Sequence, residues 1–201
     1  MNSTNNAIYN ALEWITKFAY LQLLWILFSL TGGIVLGFFP ATVAMFSIIR
    51  QWIKGNADFP LLKTFWKYYK AEFWKSNLLG LFMVIVGAII GMDIFYLKLN
   101  QSDWIRIPLF AFMLIFILFV FYLFPVYVHY DMKVNRVIKN AFFIMLINPL
   151  HSLLIVICFI SIYFIMRMLP ALAFIFGGSI YAFITMWLCY HAFKRMERAQ
   201  H

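Results

Sequence analysis

Asp93 and His151 are the residues of this sequence whose type and position come nearest to chemistry inside an apolar run. A carboxylate within a bilayer is costly and tends to mark an ion or proton path or a buried partner. Asp93, however, lies near the end of its run, where water and Lys98 are within reach. His151 opens another apolar run with a titration range suited to proton relay. It has no acidic neighbour in sequence, so an ordinary packed histidine is the simpler reading. His129 and Asp131 lie two apart at the end of a third run, a spacing that suits an interfacial pair rather than a ligand set.

Cys158 and Cys189 fall singly inside apolar stretches, so neither a disulfide framework nor a zinc site is signalled. No H-E-x-x-H, G-x-S-x-G, phosphate-binding loop, dinucleotide fingerprint or channel-filter pattern occurs. The residues predict no catalytic group, no cofactor and no metal, and hence a protein that is not an enzyme.

The elements that must position these residues are apolar helices. Of 201 residues, 65% are hydrophobic and only 11% charged, against about 25% charged in a soluble domain. Disorder is excluded, because it requires the opposite composition. A crossing helix needs about 20 mainly apolar residues, and the stretches 18–39, 78–97, 107–128, 149–168 and 171–192 qualify. The expected fold is all-α: a single integral membrane domain over 1–201, a polytopic transmembrane bundle of about five spans with one or two interfacial amphipathic helices on the cytoplasmic side.

The net charge of +9 would suggest nucleic acid in a soluble protein. Here the charges sit between apolar runs, where lipid headgroups and topology account for them. Arg50, Lys54, Lys63, Lys67, Lys70, Lys75, Lys133, Arg136, Lys139, Lys194, Arg195 and Arg198 share one side of a five-span arrangement. Lys17, Lys98, Arg106 and Arg167 take the other. Lysine and arginine accumulate in cytoplasmic loops, so this count places the N-terminus outside and the C-terminus in the cytoplasm.

Between the first two spans, Pro40 is expected to end the first. Residues 41–54 then form a short helix, and Gly55 is its C′ glycine. A second helix, opened by Pro60, runs to about Lys75, with Lys63, Lys67 and Lys70 on one face and Leu62, Phe65, Trp66, Tyr69 and Phe73 opposite. Such a helix either lies in the headgroup plane or docks an acidic partner surface through its lysines, with Trp66 and Trp74 contributing. Residues 131–147 form a weaker version, and Asn148-Pro149 starts the fourth span. Small residues at intervals of four (Ser29, Gly33 and Gly37; Gly87 and Gly91) let helices approach closely, either within the chain or against a partner's helix.

The runs Gly32-Gly33-Ile34-Val35-Leu36-Gly37-Phe38-Phe39-Pro40-Ala41-Thr42 and Phe65-Trp66-Lys67-Tyr68-Tyr69-Lys70-Ala71-Glu72-Phe73-Trp74-Lys75-Ser76-Asn77 resemble those of the YesL-like family of Gram-positive membrane proteins. The resemblance extends over nearly the whole chain. It implies a plasma-membrane accessory role beside carbohydrate ABC importers, with permease subunits as partners, and it carries no catalytic residues. The alternative from the residues themselves is a small oligomeric transporter or channel using Asp93 or His151.

Overall fold

The computed structural model describes residues 3–99, 103–130 and 132–199, and all the elements among them are α-helices. In chain order these are α1 (Ser3–Thr31), α2 (Val35–Ile53), α3 (Leu61–Leu99), α4 (Asp103–His129), α5 (Val134–Ile147), α6 (Pro149–Met168) and α7 (Pro170–Ala199). All except α5 contain a segment long and apolar enough to cross a membrane. The chain is a polytopic helical bundle.

The expected first span, 18–39, is divided. The Gly32-Gly33 pair, not Pro40, ends α1. Gly33 has φ +74 and Ile34 has φ 60, ψ −62. The Val35 N–H closes on the Gly33 carbonyl at 2.7 Å, which makes Ile34 the centre of a tight γ-turn. Pro40 is tolerated because it is the sixth residue of α2, where its missing N–H removes a single bond close to the helix start.

A β-branched residue at positive φ is strained by about 1–3 kcal/mol, and Ile34 is 64% exposed, so it gains little packing in return. Ile34→Gly relieves the strain but adds freedom to the unfolded chain. The expected net effect is a stabilisation of about 1 kcal/mol, read as a higher thermal midpoint in detergent. A lower midpoint would contradict the γ-turn.

The stretch expected to be an amphipathic cytoplasmic helix is instead the centre of the bundle. Every residue of α2 from Pro40 to Ile49 is buried, with α1, α3, α4 and α7 packed around it. The hydroxyls of Ser47 and Thr42 in this buried run are satisfied locally. Ser47 donates to the Val43 carbonyl, and Thr42 donates to the Phe38 carbonyl while accepting from Trp25 Nε1 at 3.0 Å. Beyond Lys54, Gly55 has φ +88. Its N–H bonds the Trp52 carbonyl and that of Asn56 bonds Gln51, the paired bonds of a Schellman cap.

Helix α3 joins the expected amphipathic helix and second span into one element of 39 residues. Leu62 and Trp66 of its expected aromatic face are exposed, whereas other rings of that face pack into the bundle. Phe65 and Tyr69 are buried, and the Phe28 ring of α1 lies 5.1 and 5.3 Å from theirs. Helix α5 buries Val137, Ala141, Ile144 and Met145 and leaves Lys133, Arg136 and Lys139 exposed at or just before it. Asn148 Nδ2 donates to the Ile144 carbonyl at 3.0 Å, and α6 begins at Pro149.

Contacts between helices fix their relative directions. Phe18 meets Phe183, and further along Gln22 Oε1 accepts the Ser179 N–H at 2.9 Å, so α1 and α7 are antiparallel. Phe121 meets Tyr181 and His129 meets Phe193, so α4 and α7 run the same way. Trp14 and Phe18 close on Trp52 at the end of α2, and Lys17 reaches Asp58 at 3.9 Å. The first half of α1 therefore lies at the same end of the bundle as the last turns of α2, α4 and α7. This differs from the opposite-end termini expected of five spans. Dividing the first span brings the helices long and apolar enough to cross a membrane to six among the described residues, and an even number of antiparallel passes returns a chain to the end where it began.

Candidate functional site

The polar side chains converge at that shared end. A cavity of about 170 Å³ is lined there by Arg50, Tyr68, Glu72, Lys75, Tyr127 and Tyr130, among others. Arg50 stands in the last turn of α2, where the helix dipole favours a cation. Its Nη2 donates to the His129 carbonyl at 3.2 Å, whereas its Nε is buried with no hydrogen-bond partner. Glu72 on α3 accepts from the Tyr127 hydroxyl of α4 at 2.5 Å, a short charge-assisted bond. Gln51 Nε2 donates to the Tyr68 hydroxyl. Among the described residues, the ion pairs within 4 Å are those of Lys17 with Glu13 and Asp58, so neither Arg50 nor Lys75 is neutralised by a carboxylate at contact distance.

The residues singled out from the sequence are not gathered at this cavity. Gly37 is filled from within: a Cβ there would meet the Phe28 and Ser29 carbonyls and the Gly32 Cα. Ser29 is buried at the same crossing, and Gly33 serves the turn. Gly87 and Gly91 on α3 differ, because a Cβ at either would have no other atom of the chain within 4 Å. Lys63, Lys67 and Lys70 are exposed. Lys70 Nζ sits 4.3 Å from the centre of the Trp66 ring, and Trp74 is 84% exposed.

Asp93 is exposed on α3, and Lys98 falls where no side chain is described. His151 is half-buried near the start of α6, with Arg195 and His191 of α7 as its charged neighbours. Asp131 lies outside the described residues. Cys158 and Cys189 are free thiols, and no metal-holding group of three His, Cys, Asp or Glu residues occurs among the described residues.

Sequence reading did not single out Glu72, Tyr127 and Tyr68. Glu72 interrupts a run of lysines as its one acid, which is a usable signal. Tyr127 gives none, being one aromatic among 24 Phe, 11 Tyr and 7 Trp.

Comparison of the sequence with other proteins finds relatives that cover nearly the whole chain. "Uncharacterized protein YteU" of Bacillus subtilis (strain 168) is 34% identical over 188 residues, 92% of this chain and 85% of its own length. "Uncharacterized protein YesL" of the same organism is 33% identical over 201 residues, 100% of this chain and 96% of its own. The chain belongs to the YesL-like family. "Uncharacterized protein YesV" adds a third relative at 29% identity, with 99% of this chain and 97% of its own length aligned. Within the YesL-like chain, the family described as "Protein of unknown function, DUF624" matches residues 18–94. That segment holds α1 from residue 18 onward, all of α2, the turn at Gly33-Ile34 and six cavity residues: Val43, Ser47, Arg50, Tyr68, Glu72 and Lys75. No solved structure matches the chain.

Proposed function

We propose that this YesL-like protein is a non-enzymatic accessory component of carbohydrate uptake in the plasma membrane, with its basic end and both termini in the cytoplasm. The orientation follows from adding Lys17 to the basic set, which leaves Lys98, Arg106 and Arg167 for the far side. The association with ABC-type uptake rests on the family resemblance.

The contrast among the glycines carries the accessory role. At Gly37, Gly80 and Gly178 the space a side chain would take is filled by this chain's own Phe28 and Ser29, Phe39 and Gln22, respectively. At Gly87 and Gly91 it is open, flanked by exposed Val84, Ala88 and Met92. Small residues four apart on an apolar helix let a second helix approach closely. A permease helix is the partner this reading assigns to that face, with bilayer lipid around the rest.

The double substitution Gly87→Leu and Gly91→Leu is expected to abolish recovery of importer permease subunits from mild detergent and to lower sugar uptake several-fold. Folded yield should hold, because nothing of this chain stands in the way. Unchanged recovery and uptake would reject the contact face. Recovery of a defined homo-oligomer without permease would turn the reading toward the transporter alternative, with solute flux in liposomes of the Asp93→Asn protein as its next test.

A further inference from the structure

We propose that the polar cavity between α2, α3 and α4 binds a phosphate group, either free or carried on a lipid headgroup. This proposal does not depend on any uptake partner.

Two cations, Arg50 and Lys75, and one carboxylate, Glu72, border the cavity. Glu72 already accepts from Tyr127 and makes no ion pair within 4 Å with either cation among the described residues. Arg50 is half-buried, and a guanidinium partly withdrawn from water with no counter-charge nearby is costly. An anion in the cavity would balance the cations that border it.

Donor geometry narrows the anion. Tyr68 accepts from Gln51, which leaves its own hydroxyl proton to be given to a ligand. The cavity is therefore bordered by the remaining guanidinium N–H groups of Arg50, the Lys75 ammonium and the Tyr68 phenolic O–H. A carboxylate brings two oxygens and a single charge to these three side chains. A tetrahedral phosphate has enough oxygens, and at neutral pH enough charge, to use all three.

Size agrees with this assignment. About 170 Å³ resembles the roughly 150 Å³ cavity known to hold one benzene, so a phosphate group fits. The position also suits both sources of phosphate. It lies at the basic end of the bundle, where cytoplasmic solutes and anionic headgroups both occur.

Binding should be measured by titrating the purified full chain, in neutral detergent, with inorganic phosphate and separately with monomeric short-chain phosphatidylglycerol. Sodium chloride at matched ionic strength is the control. Saturable binding of at least one probe is expected. Arg50→Gln should weaken it at least tenfold and Tyr68→Phe about threefold, while Lys67→Gln, on the outer face of α3, should leave it unchanged. Tyr68→Phe keeps the ring, so it tests the site even if Arg50→Gln fails to fold. Binding of phosphate identifies a free anion as sufficient, and binding of the lipid alone identifies a headgroup. No saturable binding of either, or equal weakening by Lys67→Gln, overturns the proposal.

Discussion

Gly37→Ala is expected to force α1 and α2 apart and to cost about 2–3 kcal/mol, at the upper part of the range for overpacked cores. The new methyl group would meet the Phe28 and Ser29 carbonyls and the Gly32 Cα. These are backbone atoms of the turn and of the preceding helix, and no side-chain rotation removes them. The matched control is Gly87→Ala, where the Cβ enters open space. Because alanine favours the helix over glycine by about 1 kcal/mol, that control should be neutral or slightly stabilising. Thermal unfolding in detergent reads both. Equal midpoints for the two variants would mean that the hairpin is looser than described.

The second large effect is expected at Phe65. Its ring is wholly buried against Phe28, and with Tyr69 it fastens the lysine-rich half of α3 to the α1–α2 hairpin. In a water-soluble core, removing such a ring costs about 3–5 kcal/mol, part of it transfer free energy. In detergent or lipid the displaced surface stays in apolar surroundings, so the transfer part largely disappears. What remains is lost packing, and Phe65→Ala should cost about 2–3 kcal/mol. Trp74→Ala removes a larger ring that is 84% exposed and should leave the midpoint within about 0.5 kcal/mol. Protease sensitivity within 61–75 offers a second readout, raised by Phe65→Ala and unaffected by Trp74→Ala.

Hydropathy made the helical membrane class plain, because a crossing helix is what a run of about 20 mainly apolar residues forms. It did not reveal where helices stop. Proline was read as the terminus of the first span, yet a proline early in a helix costs one bond, whereas a glycine pair permits the positive φ that turns the chain. Placing the break at residue 40 rather than 32–34 removed a crossing, and the relative placement of the two ends went with it.

Residues 41–49 carried a second ambiguity. Residues 41–54 read as a short helix lying beyond the first span, but in α2 the Thr42 and Ser47 hydroxyls bond the preceding turn and the run 41–49 is enclosed. The cavity was less legible still. Arg50, Glu72 and Tyr127 belong to three helices, and nothing in their sequence spacing forecasts that the Glu72 carboxylate and the Tyr127 hydroxyl would meet. The aromatic face of α3 was recognised, while its partner, Phe28, was one apolar residue in a run of them.

The continuity of α3 has a mechanical consequence. At 1.5 Å per residue its 39 residues form a rod about 58 Å long. Gly80, where the Phe39 ring presses directly on the helix backbone, stands midway between Leu61 and Leu99. Each arm is thus about 29 Å, and the rod resembles a beam resting on a central pivot. A tilt of about 10° imposed on the Gly87–Gly91 arm would carry the Leu61 end about 5 Å in the opposite direction. Whatever leans on one arm is felt by the lysines and by the wall of the cavity on the other, and a pair of spin labels on α3 and α7 would register the swing.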